Sequence, residues 1–442
     1  MSDLFPRQSD SPARLVDRQF LLLLLLLLLA IAVRGLAAAA APLLPLTDAD
    51  GYVAHATAAL KHHGFVGPFT EKPTAFRPPL YPLLLALPLA CGLTPAAAVL
   101  TINLLASVTC SAATGYLALQ LLHSRRTALL CVLATILDPL LLRYSIQPMT
   151  EVPCAALLTL ACAAFTRSIS PPVRTSRHIL TGLLFAAATL TRPAVLLATA
   201  GICLGQLVPL LLRKKSADQR LTPAAPLLLA AGMTLGMSPW LLRNALQFHA
   251  FIPATTHGGY TLALGNNPDF YRDVIRGKDR FPWDGAALDH WQQQTLAQAR
   301  QNGINLADEQ ALDRFHYALA RDTIRRFPAD FLQACRLRFR RFWALGQADT
   351  PATPVSILTA VWYLCLWTGV LLRLLQHCCH PRSLPQHTAE ISLWICVLAF
   401  SGTHLFYWTD ARMRTPIMPL LIVIAALGYS SVRRRRQAQN GT

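Results

Sequence analysis

The chain has 442 residues, 53% hydrophobic and only 14% charged, with 40 Lys and Arg against 22 Asp and Glu. Its mean hydropathy is +0.39, and its apolar runs reach or approach the ~20 residues that cross a bilayer, which excludes an ordinary soluble domain. The net charge of +18 sits in short clusters between apolar runs with no recognition motif, so nucleic acid is excluded as a partner.

The first apolar stretch, Phe20 to Pro42, follows Arg14 and Arg18 and contains the leucine run Leu21 to Leu29. It exceeds the roughly 7 to 15 residues of a signal-peptide core and is interrupted by Arg34, so it reads as a retained span. At its exit, Thr47-Asp48-Ala49-Asp50-Gly51-Tyr52 presents two carboxylates. Farther on, Arg77-Pro78-Pro79-Leu80-Tyr81-Pro82 pins φ three times at a second apolar entry, so residues 43–94 read as one ordered loop. The apolar segment Pro79 to Leu93 is short. If it crossed, Arg125 and Arg126 would face outward, so it is expected as an interfacial helix within a first external loop.

The expected spans are 20–42, 95–122, 127–145, 151–167, 179–194, 195–212, 222–243, 355–375, 388–408 and 412–431, about ten in all. The loops expected on the cytoplasmic side carry Arg125 and Arg126; Arg167, Arg174 and Arg177; Arg213, Lys214, Lys215 and Arg220; Arg373 and Arg382; and the tail Arg433 to Arg436. Both termini then lie inside a bacterial inner membrane. The fold class is an all-α polytopic membrane protein. It divides into a transmembrane catalytic module over residues 1–243, an external region over 244–354, and C-terminal transmembrane helices with a basic cytoplasmic tail over 355–442.

The polar segment between Asn244 and Pro354 opens with turn chemistry at Gly258-Gly259 and Gly265-Asn266-Asn267-Pro268. It continues into helical patterns near Ala286 to Arg300 and Ala307 to Phe327. Phe331 to Trp343 interleaves Arg336, Arg338, Arg340 and Arg341 with Phe339, Phe342 and Trp343, as in a helix lying on a membrane surface. Most of the eleven cysteines fall in apolar stretches, where Cys acts as a small hydrophobe, and no disulfide framework emerges. His377-Cys378-Cys379-His380 looks metal-like, but four consecutive residues rarely close a tetrahedron around one ion, and an inert juxtamembrane loop is expected there.

Once sides are assigned, Asp48, Asp50, Arg77, Glu151, Arg192, Arg243, Arg412 and Arg414 gather at the external ends of segments far apart in sequence. Charges at such positions cost about 2.5 to 3.5 kcal/mol on insertion scales, so they face an interior, pair, or serve a site. Arg34 and Arg192 can snorkel to headgroups, and Arg243 and Arg412 can pair with Asp410, Glu151 or phospholipid. Likewise Asp48 and Asp50 can cap a helix, and Glu151 can favour a helix start. Together they fit a site for a phosphorylated lipid: guanidinium forks match phosphate, and Asp48 can take the proton of an attacking hydroxyl. In that reading Glu151 positions the acceptor or helps hold a metal.

These residues resemble the membrane glycosyltransferases of the C superfamily, particularly bacterial relatives of dolichyl-phosphate-mannose protein mannosyltransferases and of lipid A aminoarabinose transferase. The likeness is carried in order by Asp48-Ala49-Asp50-Gly51-Tyr52 with Ala56 and Gly64, Arg77 to Pro82, Tyr144 to Glu151, Thr191-Arg192-Pro193, Pro239 to Asn244, Gly265 to Pro268, and Arg412 to Pro419. It implies inverting transfer of one sugar from a polyprenyl-phosphate donor to an acceptor lipid, glycan or protein on the external face. The catalytic acids would be Asp48, Asp50 and Glu151, with Asp48 matching the family's leading acid. Arg77, Arg192, Arg243 and Arg412 would hold the donor phosphate, and Tyr52, Tyr81, Asn266 and Asn267 would contact substrate. Ala49 stands where the family often has Glu, and no distinct C-terminal lumenal domain is evident, so the acceptor is not inherited. Asp48, Asp50 and Glu151 are also the candidates for a magnesium or manganese ion. A transporter of lipid-linked sugars is the competing class, although no internal repeat supports it.

Overall fold

The computed structural model describes residues 12–211, 224–277, 283, 285–346, 353–377 and 384–439. Arg213, Lys214, Lys215, Arg220, Cys378, Cys379, His380 and Arg382 lie outside the described residues, as do the side chains of Arg14, Arg18, His377 and Arg433 to Arg436. Among the described residues the secondary structure is helical, with a single isolated antiparallel bridge between Val66 and Pro73.

Six helices are long and apolar enough to cross a bilayer: Phe20–Ala40, Pro95–Leu122, Ala225–Phe248, Pro354–Gln376, His387–Phe406 and Ala411–Ser431. The chain is thus a polytopic all-α membrane protein. The other four expected spans are also helical but differ from a simple crossing. The 127–145 segment is split into Arg125–Leu137 and Pro139–Tyr144. Pro139 cannot continue the first helix, and Asp138 restarts the second by accepting from Leu140 N and Leu141 N at 3.1 and 3.0 Å. Glu151–Ser168 carries a charge near each end, Thr175–Thr189 has only 15 residues, and the apolar part of the next helix runs Ala194–Leu207.

Glu151–Ser168 lies at the centre of the bundle, with Val152, Cys154, Ala155, Leu158, Ala161 and Cys162 all 0% exposed. Its many small residues let neighbours approach closely, and a helix surrounded by protein does not need the full hydropathy of one facing lipid. Helices Thr175–Thr189 and Ala225–Phe248 cross more tightly still. A Cβ on Gly182 would lie 2.2 Å from the Leu229 carbonyl, and one on Gly232 would lie 2.2 Å from that of Ile179. Arg373, expected in a cytoplasmic loop, is instead 4% exposed. It forms a two-pronged pair with Glu390, Nε to Oε1 at 2.5 Å and Nη2 to Oε2 at 2.7 Å, because a charge taken into the bundle needs a partner.

Residues 43–94 and the described residues of 249–346 together cap one end of the bundle. Leu80–Ala90 has 11 residues, about 16 Å at 1.5 Å per residue, roughly half of the ~30 Å hydrocarbon layer. It is therefore too short to cross, in keeping with the interfacial assignment. One charged side chain joins the two parts of the cap, and a second ties residues 43–94 to the helix Ala225–Phe248. Glu309 accepts from Thr74 Oγ1 at 3.0 Å, Ala75 N at 3.1 Å and Thr256 Oγ1 at 2.7 Å. Arg243 donates to the carbonyls of Thr74 at 2.8 Å and Phe65 at 2.6 Å.

Candidate functional site

The first helix of the cap, Tyr52–Lys61, starts after Gly51, whose φ of 73° is a conformation that glycine adopts without strain. This turn folds the carboxylates on either side of Ala49 into different surroundings. Asp48 Oδ2 accepts from Ala54 N at 2.9 Å, so the capping reading holds for one of its oxygens. Its Oδ1 is buried without a hydrogen-bond partner. Asp48 also borders a cavity of about 540 Å³, lined by Leu46, Val53, Ala54, Phe69 and Pro95 among others.

Asp50 turns the other way. Its Oδ1 lies 3.2 Å from Arg77 Nη2 and its Oδ2 lies 3.2 Å from Arg412 Nη1. Arg412 continues to Glu151, Nε to Oε1 at 3.3 Å, within ion-pair distance but not aligned as a hydrogen bond. Arg192 Nη1 completes the chain at 2.7 Å from the same Glu151 oxygen. Five charged groups thus meet at the foot of the cap, Asp50, Glu151, Arg77, Arg192 and Arg412, with Asp48 on the other side of the Ala49 turn. Burial pushes the Asp50 carboxyl up, but Arg412, Arg77, Arg192 and His257 together outweigh it and hold the group below the usual carboxylate range. Arg77 commits only Nη2 to Asp50, and Glu151 Oε2 is buried without a partner, so the cluster retains hydrogen-bonding capacity.

Aromatic and thioether groups wall this cluster. Arg77 lies 5.5 Å from the Tyr52 ring centroid and 5.3 Å from that of Phe76. Tyr52 meets Tyr81 edge-on at 5.4 Å, and the Tyr81 hydroxyl donates to Asn103 Oδ1 at 3.1 Å. Met149 and Met413 sulfurs accept from Arg412 and Arg192 at 3.4 and 3.0 Å.

Three expected site residues are placed elsewhere, with their polar groups used by the fold. Arg243 ties residues 43–94 to the helix Ala225–Phe248. Asn266 accepts from Tyr271 Oη at 3.0 Å and Arg338 Nη2 at 2.9 Å, while donating to the carbonyls of Leu262 and Phe406. Asn267 caps Phe270 N at 2.7 Å and donates to Ala263 O. Arg414 is also separate, buried over the Tyr363 ring at 4.5 Å. Arg34 is 4% exposed rather than at a headgroup. We expect Arg243→Ala to cost about 2 to 3 kcal/mol of stability by stranding buried carbonyls. At a permissive temperature its donor KM should stay unchanged, and steady-state kinetics beside thermal unfolding would check both.

His257 escaped the sequence reading, although it immediately precedes Gly258-Gly259. Its ring sits between Phe76 at 4.2 Å and Tyr260 at 5.0 Å, on the Asp50 and Arg77 side of the cap. Burial, reinforced by Arg77, lowers its pKa to about 3, and burial lowers that of His316 to about 4. Both values lie below the 6.5 of the free side chain. The unfolded chain therefore takes up these protons first, and stability is lost as pH falls from 6.5 towards 4. At pH 5 the loss is on the order of 2 kcal/mol for each histidine, so the thermal midpoint should drop between pH 7.5 and pH 5. His316→Gln should flatten that dependence.

With this geometry in place, comparison with solved structures becomes informative. Oligosaccharyltransferase AglB from Archaeoglobus fulgidus, in complex with an inhibitory peptide and a dolichol-phosphate, superposes at a TM-score of 0.56 with 14% identity over 96% of this chain. The apo form of the enzyme gives the same TM-score of 0.56 at 15% identity. The chain therefore shares the fold of this oligosaccharyltransferase. It spans about half the length of that enzyme, 52%. ArnT from Cupriavidus metallidurans, bound to undecaprenyl phosphate, overlaps at a TM-score of only 0.43 and 14% identity, covering 93% of this chain and 77% of its own. No family model and no curated protein sequence matches the chain.

Proposed function

We propose that the chain is an inverting glycosyltransferase that moves one sugar from a polyprenyl-phosphate donor to an acceptor lipid, glycan or protein. In this reading the cap faces the outside of a bacterial inner membrane and both termini are cytoplasmic. The observation that carries it is the Asp50–Arg412–Glu151–Arg192 chain of ion pairs beside Asp48, whose Oδ1 has no partner. The shared fold supports it, since AglB has been solved with a dolichol-phosphate.

The acceptor hydroxyl enters by the cavity bordering Asp48, and Asp48 takes its proton as the oxygen attacks the anomeric carbon. The sugar–phosphate bond breaks on the opposite side, and Arg77, Arg192 and Arg412 stabilise the departing phosphate dianion. Asp50 and Glu151 fix the directions of those guanidiniums before the substrate arrives, so little reorganisation is needed in the transition state. Tyr52 and Phe76 wall the sugar side.

A divalent ion fits this donor set poorly. Both Asp50 oxygens are taken by arginines, and no group of three or more acidic, His or Cys side chains gathers among the described residues. Two free oxygens remain, Asp48 Oδ1 and Glu151 Oε2. AglB has also been solved with zinc and sulfate, so magnesium, manganese and chelator arms belong in the assay. That assay is release of polyprenyl phosphate and appearance of labelled product from a radiolabelled polyprenyl-phosphate sugar in proteoliposomes. Movement of intact donor between leaflets, with its sugar–phosphate bond unbroken, would instead establish a transporter.

A further inference from the structure

Helix Pro328–Phe342 presents two faces of opposite character. Ala334, Arg338 and Phe342 are buried, whereas Leu332, Gln333, Arg336, Phe339 and Arg340 are exposed. At ~100° per residue the exposed set falls within roughly a third of the helix circumference. Leu332 is 67% exposed and Phe339 51%, so an apolar residue alternates with an unsheltered arginine along this face. Neither Arg336 nor Arg340 has an acidic partner among the described residues.

The buried face fixes the helix at the level where spans end. Arg338 Nη1 donates to the carbonyls of Leu405 and Phe406 at 2.7 and 3.1 Å, at the C-terminus of the span His387–Phe406. Phe331 lies 6.0 Å from Phe406, which is itself 49% exposed. Trp343 packs 5.1 Å from Trp367 of the span Pro354–Gln376. Phe339 and Phe406 thus present half-exposed rings, with the arginines on the same helix as Phe339.

From this juxtaposition we propose that the exposed face of Pro328–Phe342 is a recognition site for anionic phospholipid. Arg336 and Arg340 grip the headgroup phosphates as forks, while Leu332 and Phe339 insert among the upper acyl carbons. Charge complementarity selects an anionic headgroup over a zwitterionic one. The occupant is a bilayer lipid, since the arginine cluster below the cap is built separately from other segments.

The test uses the full-length protein in nanodiscs of phosphatidylglycerol and phosphatidylcholine, with native mass spectrometry counting the lipids retained on release. Wild type should retain phosphatidylglycerol preferentially. The double variant Arg336→Gln with Arg340→Gln should lose that preference by roughly tenfold, and the double Lys variant should keep most of it. Both variants alter only exposed side chains, and an unchanged unfolding midpoint confirms that each is folded. An equal preference in wild type and the Gln variant would overturn the proposal. So would unchanged lipid retention accompanied by loss of sugar transfer, which would assign the arginines to substrate instead.

Discussion

Arg412→Ala should lower kcat/KM for a polyprenyl-phosphate sugar by at least roughly a thousandfold, combining loss of a phosphate donor with collapse of the charge network. Among the described residues Arg412 alone pairs with both Asp50 and Glu151, which stand on separate segments of the chain. Removing it leaves a buried Glu151 and a partly buried Asp50 with only Arg192 and Arg77 to neutralise them. Lysine should restore less than about a tenth of the activity, because a point ammonium does not reproduce a fork that reaches two acids. Its charge should nevertheless recover much of the lost thermal stability, and that split between activity and stability is the informative readout. Transfer by a folded Arg412→Ala protein within about tenfold of wild type would remove this residue from the site.

The second large effect is on Asp48. Asp48→Asn keeps the shape of the side chain and an oxygen to accept from Ala54 N, so the turn survives while the base is lost. We expect kcat to fall by roughly 10² to 10⁴ with donor KM unchanged. Asp50→Asn should behave differently, raising donor KM as Arg77 and Arg412 lose their anchor. Purified variants assayed against a donor concentration series separate the two outcomes. If Asp50→Asn suffered the kcat loss and Asp48→Asn did not, the roles would be exchanged.

Most of the candidate cluster was legible in the sequence because a charge at the end of an apolar run has few reasons to be there. Asp48, Asp50, Arg77, Glu151, Arg192 and Arg412 each stood out on that ground, and the structure links all but Asp48 in one chain of ion pairs. The same criterion also selected Arg243, and the resemblance added Asn266 and Asn267, since a polar group that holds a loop and one that holds a ligand have identical sequence signals. Their difference lies in whether their donors and acceptors are already spent. His257 was invisible for the converse reason: an isolated histidine in a loop carries no periodicity, and only the fold sets it between Phe76 and Tyr260.

The sequence by itself determined the all-α membrane class, the shortness of the apolar helix Leu80–Ala90, and the helices Gly285–Gln301, Glu309–Arg326 and Pro328–Phe342. Those follow from hydropathy, helical period and proline position, all of which are local. Only the tertiary structure decided that Arg373 leaves its loop to pair with Glu390, and that Asp48 and Asp50 face different surroundings. Each depends on partners distant in sequence, such as Glu390 for Arg373 and Arg412 for Asp50. A buried charge takes its meaning from what neutralises it, and that partner is fixed by packing.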